Sequence, residues 1–195
     1  AQAMLRAQAR WSRAEAQGIR QKIRDTWQSR RSEELRSLTR QLVPVLGDVS
    51  ESDVCFTYHQ LAKGGMRDRD LWRTMAEHIT EKPRMLRLGP KDITLLTAAL
   101  AQVGYSDKEG LHRLAAQAQW VSGEMNAQAI SLTLNSFTRM SYQDEELMNH
   151  LADHCITILR TFTYQNLANT ANAYAKAACQ HRPLFEALAR EIPLR

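Results

Sequence analysis

Four stretches of this chain read as variants of one: DVCFTYHQLAKGG at residues 53–65, DITLLTAALAQVGY at 92–105, AISLTLNSFTRMSY at 129–142 and NLANTANAYAKAA at 166–178. Each opens an apolar ladder, at Val54, Ile93, Ile130 and Leu167, in steps of 39, 37 and 37 residues. With the ladder start as position 0, positions 0, 4, 7 and 8 hold Val54/Tyr58/Leu61/Ala62, Ile93/Thr97/Leu100/Ala101, Ile130/Leu134/Phe137/Thr138 and Leu167/Ala171/Tyr174/Ala175. That spacing puts all four side chains on one stripe of an amphipathic helix. The period is that of helical-hairpin solenoids, so each ladder is read as helix A of a hairpin.

A second helix follows each ladder. The helix B segments start at Leu71, Leu111, Leu147 and Leu184, and this register aligns Ala76, Ala116, Ala152 and Ala189. Gly64 and Gly65 are expected to end the first helix A and Gly104 the second. Pro90 opens the second helix A, where its missing N–H is harmless. Ser106 with Glu109 reads as the capping box of the second helix B. The fold class expected is all-α: an α-solenoid of about four helical hairpins preceded by a basic N-terminal helical arm. The arm spans residues 1–31, a leading or capping helix 32–49, and the hairpins 50–192, divided near 50–88, 89–125, 126–161 and 162–192. In the arm, Ile19, Ile23 and Trp27 form a narrow helical stripe, and Gly18 is a point where the helix can bend.

A solenoid exposes a long surface rather than a pocket, which favours binding over catalysis. No apolar run approaches the roughly 20 residues of a membrane span, so no membrane insertion is expected. No Gly-rich phosphate loop and no nucleophile elbow occurs. His150 and His154 lie one turn apart beside Cys155, but too few further ligands accompany them for zinc. No catalytic residue, metal ligand or cofactor is expected. Cys55, Cys155 and Cys179 form no CxxC pair, which points to a reducing compartment.

The net charge of +5 is uneven: residues 1–40 hold ten basic and four acidic residues, the rest 16 and 17. Residues 63–91 add a second basic stretch, with eight basic against four acidic residues. Such asymmetry points to a polyanion, RNA foremost. The candidate RNA contacts are the arm cations Arg6, Arg10, Arg13, Arg20, Lys22, Arg24, Arg30 and Arg31, with Arg67 and Arg69 of the first hairpin. To these are added positions 5 and 9 of helix A: His59/Lys63, Gln102 opposite Ala98, Asn135/Arg139 and Asn172/Lys176. These positions lie off the core stripe, one turn apart. Stacked hairpins would align them into a column that offers phosphate charge beside base-edge hydrogen bonds. Tyr105 and Tyr142, just past their helices, are candidate stacking platforms.

The run LANTANAYAKA at 167–177 resembles helix A of the octotricopeptide repeat, also called heptatricopeptide, found with RAP domains in FAST-kinase-like proteins. Leu167, Ala168, Asn169, Thr170, Ala173, Tyr174, Ala175 and Lys176 match; Ala171 and Asn172 depart from the usual leucine and tryptophan. The resemblance implies a non-enzymatic RNA-binding repeat protein of an organelle, the mitochondrial matrix ahead of the plastid. With the basic arm it leads to the expectation of a structural component of the mitochondrial ribosome that contacts rRNA among neighbouring proteins of a large complex. The alternative is a protein–protein scaffold subunit of another large organellar complex.

Overall fold

The computed structural model describes residues 13–26 and 32–192. Arg6, Arg10, Arg30 and Arg31 lie outside them, as do Trp11 and Trp27, and of Arg13 only the backbone is described. The described residues form eleven α-helices: α1 Arg13–Thr26, α2 Ser32–Leu42, α3 Glu51–Lys63, α4 Arg69–Thr80, α5 Lys82–Met85, α6 Pro90–Val103, α7 Lys108–Trp120, α8 Ala127–Arg139, α9 Glu145–Thr157, α10 Tyr164–Lys176 and α11 Arg182–Glu191. Among the described residues there is no strand, and no helix is long and apolar enough to cross a membrane.

The hairpins stack as the ladder spacing predicts. Helix A packs on helix A along α3, α6, α8 and α10, and helix B on helix B along α4, α7, α9 and α11. All four residues at position 0 are buried, as are Leu61, Leu100, Phe137 and Tyr174 at position 7. They belong to one apolar seam that runs from Ala16 to Leu188. Helix α1 continues the stack at its start: it packs on α2 and α3, with Ala16, Ile19 and Ile23 buried. It passes through Gly18 without a break. The helical part of the arm thus behaves as helix A of a leading pair with α2.

The ends of the helices repeat as faithfully as their cores. Each helix A finishes on a residue with positive φ: Gly65 (87°), Gly104 (73°), Ser141 (53°) and Ala178 (50°). The next residue then donates its N–H back to position 7, from Met66 to Leu61, Tyr105 to Leu100, Tyr142 to Phe137 and Cys179 to Tyr174. This is the Schellman closure, which satisfies carbonyls that the helix end leaves open. Helix starts are capped by Ser50, Asp68, Asp107, Asn126, Asp144, Thr163 and His181. The cap of α7 is Asp107, whose carboxylate accepts from Gly110 N at 2.7 Å, and not the expected Ser106. A Cβ on Gly110 would run into the Tyr105 hydroxyl and the capping carboxylate of Asp107, both of which would have to shift.

The register of helix B differs from the expected one. The buried sets are Trp72–Met75–Ala76–Ile79 on α4, Leu111–Leu114–Ala115–Ala118 on α7 and Met148–Leu151–Ala152–Cys155 on α9. Ala115, not the exposed Ala116, is therefore the counterpart of Ala76, and Leu188, not the exposed Ala189, extends the row. Hydrogen bonds confirm this frame. Gln117 Nε2 donates to the Leu88 carbonyl at 2.9 Å. One repeat later His154 Nε2 meets the Met125 carbonyl at the same distance. Each of these pins ties a helix B to the linker that leads into its own hairpin.

Candidate nucleic-acid interface

The open side of the helix A layer is a stripe of positions 2, 5 and 9. It reads Phe56–His59–Lys63 on α3, Leu95–Ala98–Gln102 on α6, Leu132–Asn135–Arg139 on α8 and Asn169–Asn172–Lys176 on α10. Lys63, Arg139, Asn172 and Lys176 are exposed, and His59, Gln102 and Asn135 are half-buried between neighbouring helices. The ladder residues at positions 0 and 7 are buried, which is why positions 2, 5 and 9 face outward; in the last two hairpins Thr138 and Ala171 are only half-buried and Ala175 is exposed. Two hydrogen bonds tie neighbouring helices at the start of the stripe: Ser52 Oγ donates to Asp92 Oδ2, and Asn166 Nδ2 to Ser131 Oγ, both at 2.9 Å.

Grooves run between these helices. One of about 580 Å³ lies between α6 and α8, lined by Lys91, Thr94, Leu95, Gln128 and Leu132 among others. The next, of about 490 Å³ between α8 and α10, carries many amides and hydroxyls, with Asn126, Gln128, Ser131, Thr163, Gln165 and Asn169 on its walls beside Ala127 and Leu132. Such walls can donate to and accept from base edges, while single strands expose those edges. Gln128 and Gln165 were not singled out by sequence, although the 37-residue step between them was there to find.

His59 brings an imidazole to the stripe. Burial, and then the charge of Lys63, hold it below the usual imidazole value of 6.5. Its Nδ1 is buried without a hydrogen-bond partner. Neutral and half-open, the ring can give or take a hydrogen bond.

The arginines divide by what already engages them. Arg20 forms an ion pair with Asp53 and keeps only 13% of its side chain exposed. Arg24 lies over the Phe56 ring, 5.2 Å from its centre, and extends the stripe onto α1. Lys22 is exposed on α1. Arg67 Nη1 donates to the Ala62 and Met66 carbonyls at 3.1 and 3.0 Å, so its guanidinium closes the end of α3. Arg69 and Arg73 are exposed, and with Arg67, Trp72 and Tyr105 they line a cleft of about 500 Å³ at the turn edge between the first two hairpins. Arg73 shares its charge with Asp70 at 2.9 Å.

The two tyrosines expected as stacking platforms have another task. Tyr105 donates its hydroxyl to Asp107 at 3.2 Å, and Tyr142 approaches Asp144 at 3.5 Å and tilts against Phe137. Each braces the aspartate that caps the following helix. Burial, then the adjacent carboxylate, push both phenols above their ordinary pKa. His154 is held by the Met125 carbonyl and Cys155 is fully buried, and among the described residues no cluster of His, Cys, Asp or Glu could hold a metal ion.

Residues 29–192 match the family model of the RNA-editing substrate-binding complex 6 protein. No curated protein matches the chain. The family match overturns the resemblance to octotricopeptide repeats: the hairpins belong to another family, and the eight matching residues in α10 do not carry that assignment. The same match favours the scaffold alternative over the ribosomal expectation.

Proposed function

The chain belongs to the RNA-editing substrate-binding complex 6 protein family, and from that premise we propose that it is a non-enzymatic scaffold subunit of a mitochondrial RNA-editing complex. Its work is to hold protein partners together and to lay part of its surface against RNA. The observation that carries this reading is the extent of the match: it begins ahead of α2 and ends past α11, so the family is defined by the whole stack of hairpins. A stack of hairpins displays a long surface on which several partners can sit at once.

The helix A stripe and the turn edge at Arg69 and Arg73 are the surfaces offered to RNA. Their cations would meet phosphates, and the amide-lined groove between α8 and α10 would meet bases. The basic, alanine-rich character of residues 1–31 fits a protein that works in the mitochondrial matrix.

The test is sedimentation of the tagged chain from organelle extract, with and without ribonuclease. A scaffold stays with its protein partners after the RNA is digested. Release of the free chain by ribonuclease would show that RNA alone tethers it, and would end this reading.

A further inference from the structure

The helix B layer carries one break in its pattern. The pins Gln117 and His154 fix which residues correspond, and they place Ala116 and Trp120 of α7 opposite Asp153 and Thr157 of α9. In the first hairpin the same positions hold Glu77 on α4 and Glu81 just past its end. All six are exposed. The outer face of helix B is thus polar on α4 and α9, the hairpins before and after, and apolar on α7 between them.

Trp120 is 84% exposed, so internal packing does not explain it. Across from it stands α5, an extra helical turn that only the first linker contains; the later linkers have the 3-10 turns Ser122–Glu124 and Leu159–Thr161 instead. Helix α5 packs on α7 and presents Leu86, 64% exposed, just past its end. Between them lies a groove of about 590 Å³ lined by Lys82, Met85, Leu86, Arg113, Ala116 and Trp120 together with His112 and Gln117. An exposed tryptophan beside an exposed leucine over an apolar floor is the make-up of an interface hot spot.

The charge around the groove selects its occupant. Lys82 and Arg113 line it and no carboxylate does, Lys82 exposed and Arg113 already paired with Glu109 one turn back on α7. Arg84 and Arg87 on the same linker are already paired with Glu51. RNA fits less well: the floor of Met85, Leu86 and Ala116 suits aliphatic side chains, and the open arginines Arg69 and Arg73 lie at the opposite end of the hairpins. We propose that the α5–α7 groove is the docking site for an amphipathic helix of a partner protein, whose apolar side chains cover Trp120 and Leu86 and whose acidic flank meets Lys82. This deepens the scaffold reading and rests on it.

The test uses the full chain inside its ribonuclease-treated complex. Trp120→Ala and, independently, Leu86→Glu change exposed side chains, so the helical circular dichroism should stay as it is. Each should lower the recovery of at least one protein component by about tenfold or more, as loss of a hot spot does. A photo-crosslinker, p-benzoylphenylalanine, placed at position 120 should capture a segment with apolar residues at helical spacing and Asp or Glu beside them. Full recovery of all components with both variants overturns the proposal, and so does a crosslink to RNA, to a basic segment or to nothing. If ribonuclease frees the unmodified chain, the scaffold reading itself has failed; if the unmodified chain stays bound and the variants do too, only the groove has.

Discussion

Ala178→Gly should stabilise this protein, against the usual sign of an alanine-to-glycine change. Ala178 and Ser141 close α10 and α8 at φ of 50° and 53°, where the first two hairpins have Gly65 and Gly104. An L-residue in the left-handed region costs about 1–2 kcal/mol, which glycine does not incur. Glycine gives back about 0.5–1 kcal/mol through the greater freedom of its unfolded chain. The net gain is about 0.5–1 kcal/mol at each site. Both side chains are exposed, so no packing is lost. For a chain of this size that gain is roughly a 1–4 °C rise in melting temperature per site.

The assay is urea and thermal unfolding followed by far-ultraviolet circular dichroism, with Ser141→Gly, Ala178→Gly and the double variant. Ala168→Gly serves as the opposite control: it is exposed within α10 and should cost about 1 kcal/mol. Hydrogen exchange adds a local reading, because the Cys179 N–H bonds to the Tyr174 carbonyl at 3.1 Å only while the turn is closed. If both closing-turn variants were neutral or harmful, Ser141 and Ala178 would not be left-handed, and the common closure of the four A helices would be refuted.

Gln117→Leu leaves the buried Leu88 carbonyl without its donor and should cost about 1–3 kcal/mol in urea unfolding, whereas Gln117→His, the residue found at the same place on α9, should cost less than about 1; equal losses would mean that the pin does not matter. His59 and His78 are both held below 6.5, first of all by burial, so the fold favours their neutral forms. Stability from this source is complete above the unfolded value and is lost as pH falls through about 6.5 towards the folded values, levelling off below them. His59→Asn with His78→Gln, which borrow the residues of later hairpins, should flatten the pH dependence of the urea midpoint between about pH 7.5 and 5; an unchanged slope would assign it to other groups. Cys55 and Cys155 are buried and their pKa values pushed up, that of Cys155 to about 12, while Cys179 is half-buried and less protected. Titration of the native chain with an aromatic disulfide should therefore label Cys179 alone, with the other two appearing on unfolding. Lys63→Gln, Arg139→Gln and Lys176→Gln together should lower the slope of log affinity against log salt for single-stranded RNA by about 2, at roughly 0.7 per phosphate contact; an unchanged slope would remove the stripe from the RNA surface.

The stacking of A helices was legible because their core residues recur at fixed steps and nothing near them competes. Helix B was harder. Leu71 stands beside Trp72 and Leu147 beside Met148, and with two adjacent apolar residues the ladder can start on either. The three-dimensional frame chooses Trp72 and Met148, through a pin that no propensity reveals. Ser106 and Asp107 posed the same ambiguity as adjacent cap formers, and the longer reach of the aspartate to Gly110 decided it. Closing turns were visible where they hold Gly65 and Gly104, and hidden where they hold Ser141 and Ala178. The family was misread because one alanine- and asparagine-rich helix, α10, carried the comparison, and such a helix records packing more than descent.

What recurs in this chain and what departs from recurrence do different work. The left-handed closures, the tyrosine–aspartate braces at 105/107 and 142/144 and the pins at 117 and 154 repeat because each hairpin must meet the next in the same way. Ala116, Trp120 and the inserted α5 obey no such rule: stacking does not ask for them, and the neighbouring hairpins do without them. An exposed tryptophan that the stack does not need exposes apolar surface to water and invites aggregation, so its presence calls for a partner that covers it. The chemistry of a solenoid is therefore best sought by subtracting the repeat. Here that subtraction leaves the α5–α7 groove on one face, and the unequal spread of amides and cations along the helix A stripe on the other.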